Sequence, residues 1–286
     1  MEERLRLWSE LGDHEDAAWK TNGEWLAVIE SAIAVLHDSP NALTTLPGYA
    51  AGQERTNVAG MCLKRALDEL RAMWLLLNAG YTASTGAACA DLWEHAMLAS
   101  CCSLSEDVAR QFLNLGPDDP KFGPSKLSAL LAKLIAEGLG DARPTSTETV
   151  QYWDAASYSA YKWLCQLKHP TLRALQHTTL TTVSNEGVLG LSARPDASEA
   201  DRSVKALILI TAFGVIQKAV ILFGSAVVGD QNSEKLRAWQ TRLAEAQQAV
   251  EAQLPPDSLN PPWSIGDTRA GRRLRELSPA PLENPK

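Results

Sequence analysis

The sequence predicts an all-α fold, a multi-helix bundle of about eight to ten helices with one small hairpin or loop insertion. Three observations carry that prediction. Apolar residues recur at steps of three and four in segment after segment, Gly, Asn and Pro stop signals separate those segments, and only residues 178–192 depart from the pattern. With 45% hydrophobic residues in a chain of 286, there is ample material for a real core, and disorder is excluded for most of the length.

Residues 2–11 and 15–37 read as two amphipathic helices, the second with Trp19, Trp25, Ile29, Ile33 and Leu36 at helical spacing and a stop at Pro40. A loop rich in Thr, Pro and Gly then runs to Gly52, so residues 1–52 form an N-terminal unit that packs on a main bundle of residues 53–253. Residues 54–78 place Leu63, Leu67, Leu70, Trp74 and Leu77 on one core-facing stripe, while Lys64 with Asp68 and Arg65 with Glu69 form solvated pairs on the opposite face. Asn78 and Gly80 supply a stop, so the next helix, 82–103, folds back as an antiparallel hairpin. Ser105 caps a shorter helix that ends at Leu115, before Gly116 and Pro117. Leu127, Leu130, Leu131, Leu134 and Ile135 mark a helix over 125–137, and an aromatic-rich helix over 148–168 stops at His169 and Pro170. Threonines and an Asn-Glu-Gly turn in 178–192 suggest the hairpin or irregular insertion. A long apolar helix, 202–228, follows. Residues 232–253 then carry Leu236, Trp239, Leu243, Ala246 and Val250 as a narrow seam, suited to packing along the bundle or to self-association as a homo-oligomer. Residues 254–286 form a proline-rich tail expected to be mobile.

The most informative stretch is Tyr81 to Ser103, a helix of small and apolar residues that nevertheless carries Asp91, Glu94 and His95 within one turn. A helix apolar nearly all round is normally buried, so this cluster either meets partners inside the protein or lines a cleft. Brought alongside His169, its carboxylates and imidazoles have the chemistry of an acid-base pair or a transition-metal site. The structural alternative is a satisfied, hydrogen-bonded core pair. No second Glu-x-x-His motif exists for a di-iron bundle, and no metal ligand set is assigned. Phosphate-loop, GxSxG and HExxH motifs are absent, leaving the cofactor unknown. Of the nine tryptophans, Trp8, Trp19, Trp25, Trp74, Trp93, Trp153, Trp163 and Trp239 fall in predicted helices and are read as buried packing.

A net charge of −7 with scattered Lys and Arg leaves no footprint for duplex DNA, although a local RNA or nucleotide site is compatible with it. The charged, amphipathic N-terminus resembles neither a secretory nor a transit signal, so a cytoplasmic location is expected. Cys62, Cys89, Cys101, Cys102 and Cys165 form no CxxC pair and read as buried free thiols, with the adjacent Cys101 and Cys102 on different helix faces. Residues 206–229 approach the roughly 20 residues that span a bilayer. Gln217 and Lys218 at their centre, where a lysine costs about 3 kcal/mol, favour a core helix over a membrane span.

Two segments, AACADLWEHAMLASCCSLSEDVARQFLN and YSAYKWLCQLKHPTLRAL, resemble bacterial all-helical proteins grouped near the HEPN (higher eukaryote and prokaryote nucleotide-binding) superfamily, over about residues 55–225. In those proteins the first helix tends to read arginine, several residues, then glutamate, and the later helix carries a tyrosine followed by a His-Pro pair. Glu94 matches the glutamate, and Tyr161, His169 and Pro170 match the later motif. Ala90 and Asp91 stand where the relatives carry arginine. The ribonuclease members separate an arginine from a histidine by four to six residues. Here those positions before His169 are Leu164, Trp163 and Lys162, of which only Lys162 is basic, and lysine lacks the bidentate fork.

The resemblance implies a non-catalytic helical protein acting by interaction or ligand binding, within a bacterial stress or phage-defence system. The alternative is an RNA- or nucleotide-directed enzyme built on His169, Lys162, Glu94, His95 and Asp91.

Overall fold

In the computed structural model of the chain, the described residues are 2–44, 54–116, 122–139, 146–169, 202–228 and 234–253. Among them are eight α-helices and no strand: α1 (Glu2–Thr44), α2 (Glu54–Asn78), α3 (Thr82–Leu104), α4 (Glu106–Leu113), α5 (Pro124–Leu139), α6 (Thr147–Lys168), α7 (Arg202–Val228) and α8 (Glu234–Gln253). The expected hairpin at 178–192 and the tail at 254–286 lie outside the described residues.

The hairpin of α2 and α3 is the organising unit. All five stripe residues of α2, Leu63, Leu67, Leu70, Trp74 and Leu77, are buried. The turn that follows closes with the Gly80 N–H donating to the Leu77 carbonyl and the Tyr81 N–H to the Leu76 carbonyl, a paired closure that requires the first of the two donors to be in the left-handed region. Gly80 occupies that conformation at φ 85°, which a side chain would strain. On the outer face, Lys64 meets Asp68 at 2.7 Å as an exposed pair of small energetic value, and Arg65 meets a half-buried Glu69 at 2.5 Å.

α3 is central, packed by α2, α4, α5, α6 and α7. Small residues make that possible. At Gly86 an added Cβ would lie 2.6 Å from a Leu167 methyl, so this glycine lets α6 approach closely. α7 packs against α3, α2 and α1, burying Ala206, Ile208, Ala212, Ile216, Ala219 and Val220. It is the one helix among the described residues long and apolar enough to cross a membrane, and 67% of its apolar window is buried inside the protein. Its open side is a stripe of Gly214, Lys218, Ile221 and Ser225, at steps of four, three and four. Three residues of the α8 seam pack within the chain. Trp239, Leu243 and Val250 are buried, α8 packs along α1, and the Trp239 indole N–H reaches the Val35 carbonyl at 3.5 Å.

Apart from shifts of one or two residues at other helix ends, the boundaries of α1 and α4 differ from the sequence reading. The expected pair of helices at 2–11 and 15–37 is a single α1 of 43 residues, and Pro40 does not stop it. Gly12 costs a helix only about 1 kcal/mol. Pro40 removes one donor near the helix end, while Ile29, Ala32, Ile33 and Leu36 anchor the preceding turns in the core. α4 ends at Leu113 instead of Leu115, where a tighter bond from the Leu115 N–H to the Phe112 carbonyl closes the helix. Caps explain the rest: the Ser105 hydroxyl accepts from the Val108 N–H, and Ser146 accepts from Thr149 at 3.2 Å. Among the tryptophans expected to be buried, Trp74, Trp93, Trp163 and Trp239 are, whereas Trp19 is 40% exposed and Trp153 is half-buried. Trp19 lies beside the fully buried Ala18 on α1, on the side of the helix turned to solvent.

Candidate functional site

Two places in the fold bring chemistry together, and they share Trp93. The first is the seam between α3 and α6. Helical spacing puts Asp91, Glu94 and His95 on one side of α3, half-buried, and α6 runs past them in the opposite direction. Tyr161 of α6 donates its hydroxyl to Glu94 Oε1 at 2.7 Å. The Lys168 ammonium, in the last turn of α6, donates to Asp91 Oδ1 at 2.5 Å. His95 Nδ1 lies 2.7 Å from the Asp91 carbonyl, which can only accept, so Nδ1 carries a proton and, in the neutral ring, Nε2 is the acceptor. Tyr161 also packs on Trp93, with ring centroids 4.9 Å apart, and stacks with Tyr158 at 6.3 Å. Burial, together with the neighbouring Cys165 and Glu94, pushes the Tyr161 hydroxyl pKa up. The bond to Asp91 raises that of Lys168.

Of the residues singled out from sequence, Asp91, Glu94 and His95 are therefore together and engaged. Lys162 is exposed on α6 and His169 is exposed at its C-cap, where its backbone N–H donates to the Cys165 carbonyl. Neither makes a hydrogen bond or ion pair with the α3 cluster among the described contacts. The cation that does is Lys168, whose register depends on how α6 crosses α3, which spacing along one helix cannot reveal. Among the described residues no group of three or more His, Cys, Asp or Glu side chains is arranged to hold a metal ion. Pro170, the remaining residue of the HEPN-like motif, lies outside the described residues.

All five cysteines are free and buried. Desolvation pushes the Cys62 thiol up to about 11 and that of Cys101 to about 12, and raises Cys89 and Cys102 further. Cys101 faces α5, donating toward the Leu127 carbonyl at 3.7 Å, while Cys102 faces Cys62 on α2. Thiols held protonated in this way are poor nucleophiles.

The second place is a groove of about 460 Å³ between α3, α5, α6 and α7. Trp93, Met97, Leu131, Ile135, Trp153 and Val215 supply most of its wall. Among the described residues, Lys218 is the only charged side chain in its lining. Its apolar surroundings lower its pKa from the ordinary lysine value, although much of the side chain is open to solvent through the groove mouth. The three hydroxyls in the lining are already spent: Ser128 donates to the Asp154 carbonyl, Ser157 toward the Met97 sulfur and Thr211 to the Leu207 carbonyl. Sequence reasoning weighed Lys218 only as a cost to membrane insertion and Trp153 only as packing. The signal that could have found them was a lone cation in an otherwise apolar helix.

A wider hollow of about 810 Å³ along α2, bordered by Met61, Leu113 and Phe223, carries Glu54, Lys64 and Asp68 at its rim. Lys64 and Asp68 there are already paired with each other, and Glu54 with Arg110. Lys205 of α7 is fully buried and engaged in polar or electrostatic interactions. Compared with protein-family models, curated proteins and solved structures, the chain matches none.

Proposed function

We propose that this protein is a non-catalytic, ligand-binding helical bundle, in which the groove between α3, α5, α6 and α7 seats the ligand and the α3/α6 seam is a structural clamp. One observation carries the reading: an apolar groove whose volume of about 460 Å³ falls in the range typical of small-molecule sites, with a single charged group in its wall. Carboxylates in the clamp are held by Tyr161 and Lys168, as structural polar groups are. The HEPN-like resemblance supports the same class and, on resemblance alone, adds a role in a bacterial stress or defence system.

Titration with an environment-sensitive apolar dye, anilinonaphthalene sulfonate, tests the reading. Nothing lies within 4 Å of a Cβ built at Gly214, which lines the groove, so a side chain can start there without strain and Gly214→Trp is the variant chosen to obstruct it. Saturable binding at one site, lost in Gly214→Trp with its melting temperature retained, is the expected result. Binding unaffected by that variant, or no saturable binding, overturns it.

A second reading, an RNA- or nucleotide-directed enzyme, draws on the His95 Nε2 acceptor beside Asp91 and Glu94. It requires turnover of RNA or nucleotide by the purified protein, with or without added divalent metal, that disappears in His95→Ala. Lack of any turnover removes it.

A further inference from the structure

Resting on the groove reading, we infer that the ligand is a single-chain anionic amphiphile, an alkyl carboxylate whose head sits at Lys218 Nζ and whose tail lies along the apolar wall.

Charge gives the first half of the argument. Among the described residues, Lys218 makes no ion pair or hydrogen bond and no carboxylate lines the groove. Its neighbour Gln217 is turned away, with its amide on Gln247 of α8 at 2.9 Å. Lys218 sits at the groove mouth with solvent on one side and apolar side chains on the other, and an anionic head is the group that complements its charge there. A cationic ligand meets repulsion and nothing to pair with. A nucleotide or other polyanion needs several donors, yet one cation stands here and the lining hydroxyls are committed elsewhere.

Shape gives the second half. The lining on α7 runs from Ile210 to Lys218, ~12 Å of helix axis at 1.5 Å per residue. With carbon–carbon bonds of ~1.5 Å advancing in zigzag, an extended chain of about ten carbons covers that distance. Trp93, Met97, Leu131, Ile135 and Trp153 give such a tail continuous apolar contact.

Calorimetric titration with decanoate, decanol and decylamine, each below its micelle concentration, separates the possibilities. Wild-type protein is expected to bind decanoate about tenfold or more tightly than decanol and to bind decylamine weakest, since one charged hydrogen bond sets the difference. Lys218→Met should bring decanoate down to the decanol level, Lys218→Arg should keep the preference, and Gly214→Trp should abolish both. Decanol binding as tightly as decanoate, with both lost in Gly214→Trp, overturns the anionic head and leaves the groove standing. Failure of all three ligands and of the dye removes the groove as well.

Discussion

The α3/α6 seam and the groove lie on two sides of Trp93 and treat charge in opposite ways. In the seam, every carboxylate of α3 has a donor supplied by α6: Tyr161 for Glu94 and Lys168 for Asp91. In the groove, Lys218 stands among apolar side chains with no counter-ion among the described residues. Both sites combine charge with aromatic walls, so composition alone does not distinguish them. What does is whether the neighbouring helix completes the polar group or leaves it for something else to complete. A completed group stabilises the bundle, whereas an uncompleted one is available to a ligand.

Trp93 offers the strongest way to break that comparison, because it packs on Tyr161 and also walls the groove. Trp93→Ala is expected to cost about 3–5 kcal/mol in chemical denaturation. A loss below about 1 kcal/mol would mean that neither side is built on it. Gly86→Ala strikes the α3/α6 packing at Leu167, away from the groove-lining residues Trp93 and Met97 of α3 and Trp153 to Ala160 of α6. A loss of about 1–3 kcal/mol is expected for such overpacking, with dye binding retained at temperatures where the variant is folded.

Alkali probes the core behind both sites. Folding keeps the Cys62 thiol protonated up to about pH 11, whereas the unfolded chain releases that proton from about pH 9. The stability linked to it is whole below pH 9 and is lost as pH rises through 11. Cys62→Ala should make this alkaline fall in melting temperature shallower, the other raised thiols keeping the remainder, and an unchanged slope would place the loss elsewhere. The smallest effect sharpens the contrast most. Lys168→Met should cost up to about 1 kcal/mol, as a partly exposed ion pair does, while Lys218→Met should cost nothing or stabilise slightly. Equal losses in the two variants would erase the distinction drawn here.

Much of this organisation is legible along the chain. The stripe from Leu63 to Leu77 and the stop at Asn78 and Gly80 locate α2 because burial and turn chemistry agree there. Asp91, Glu94 and His95 stand out because the surrounding helix is otherwise apolar. Pro40 misleads because its local cost is outweighed by packing several turns away. Lys168 escapes notice because its value comes from a crossing between helices far apart in sequence. The outward stripe of α7 through Gly214, Lys218, Ile221 and Ser225 is hidden because apolar residues occupy nearly every side of that helix. Only the arrangement of its neighbours decides which side faces water.

The sealed thiols make the natural chain a silent background for cysteine chemistry. A single new cysteine at Ile221, on the open stripe one turn from Lys218, would therefore be the sole fast-reacting sulfur in the native protein. A fluorophore attached there would report events at the groove mouth without removal of any of the five native cysteines.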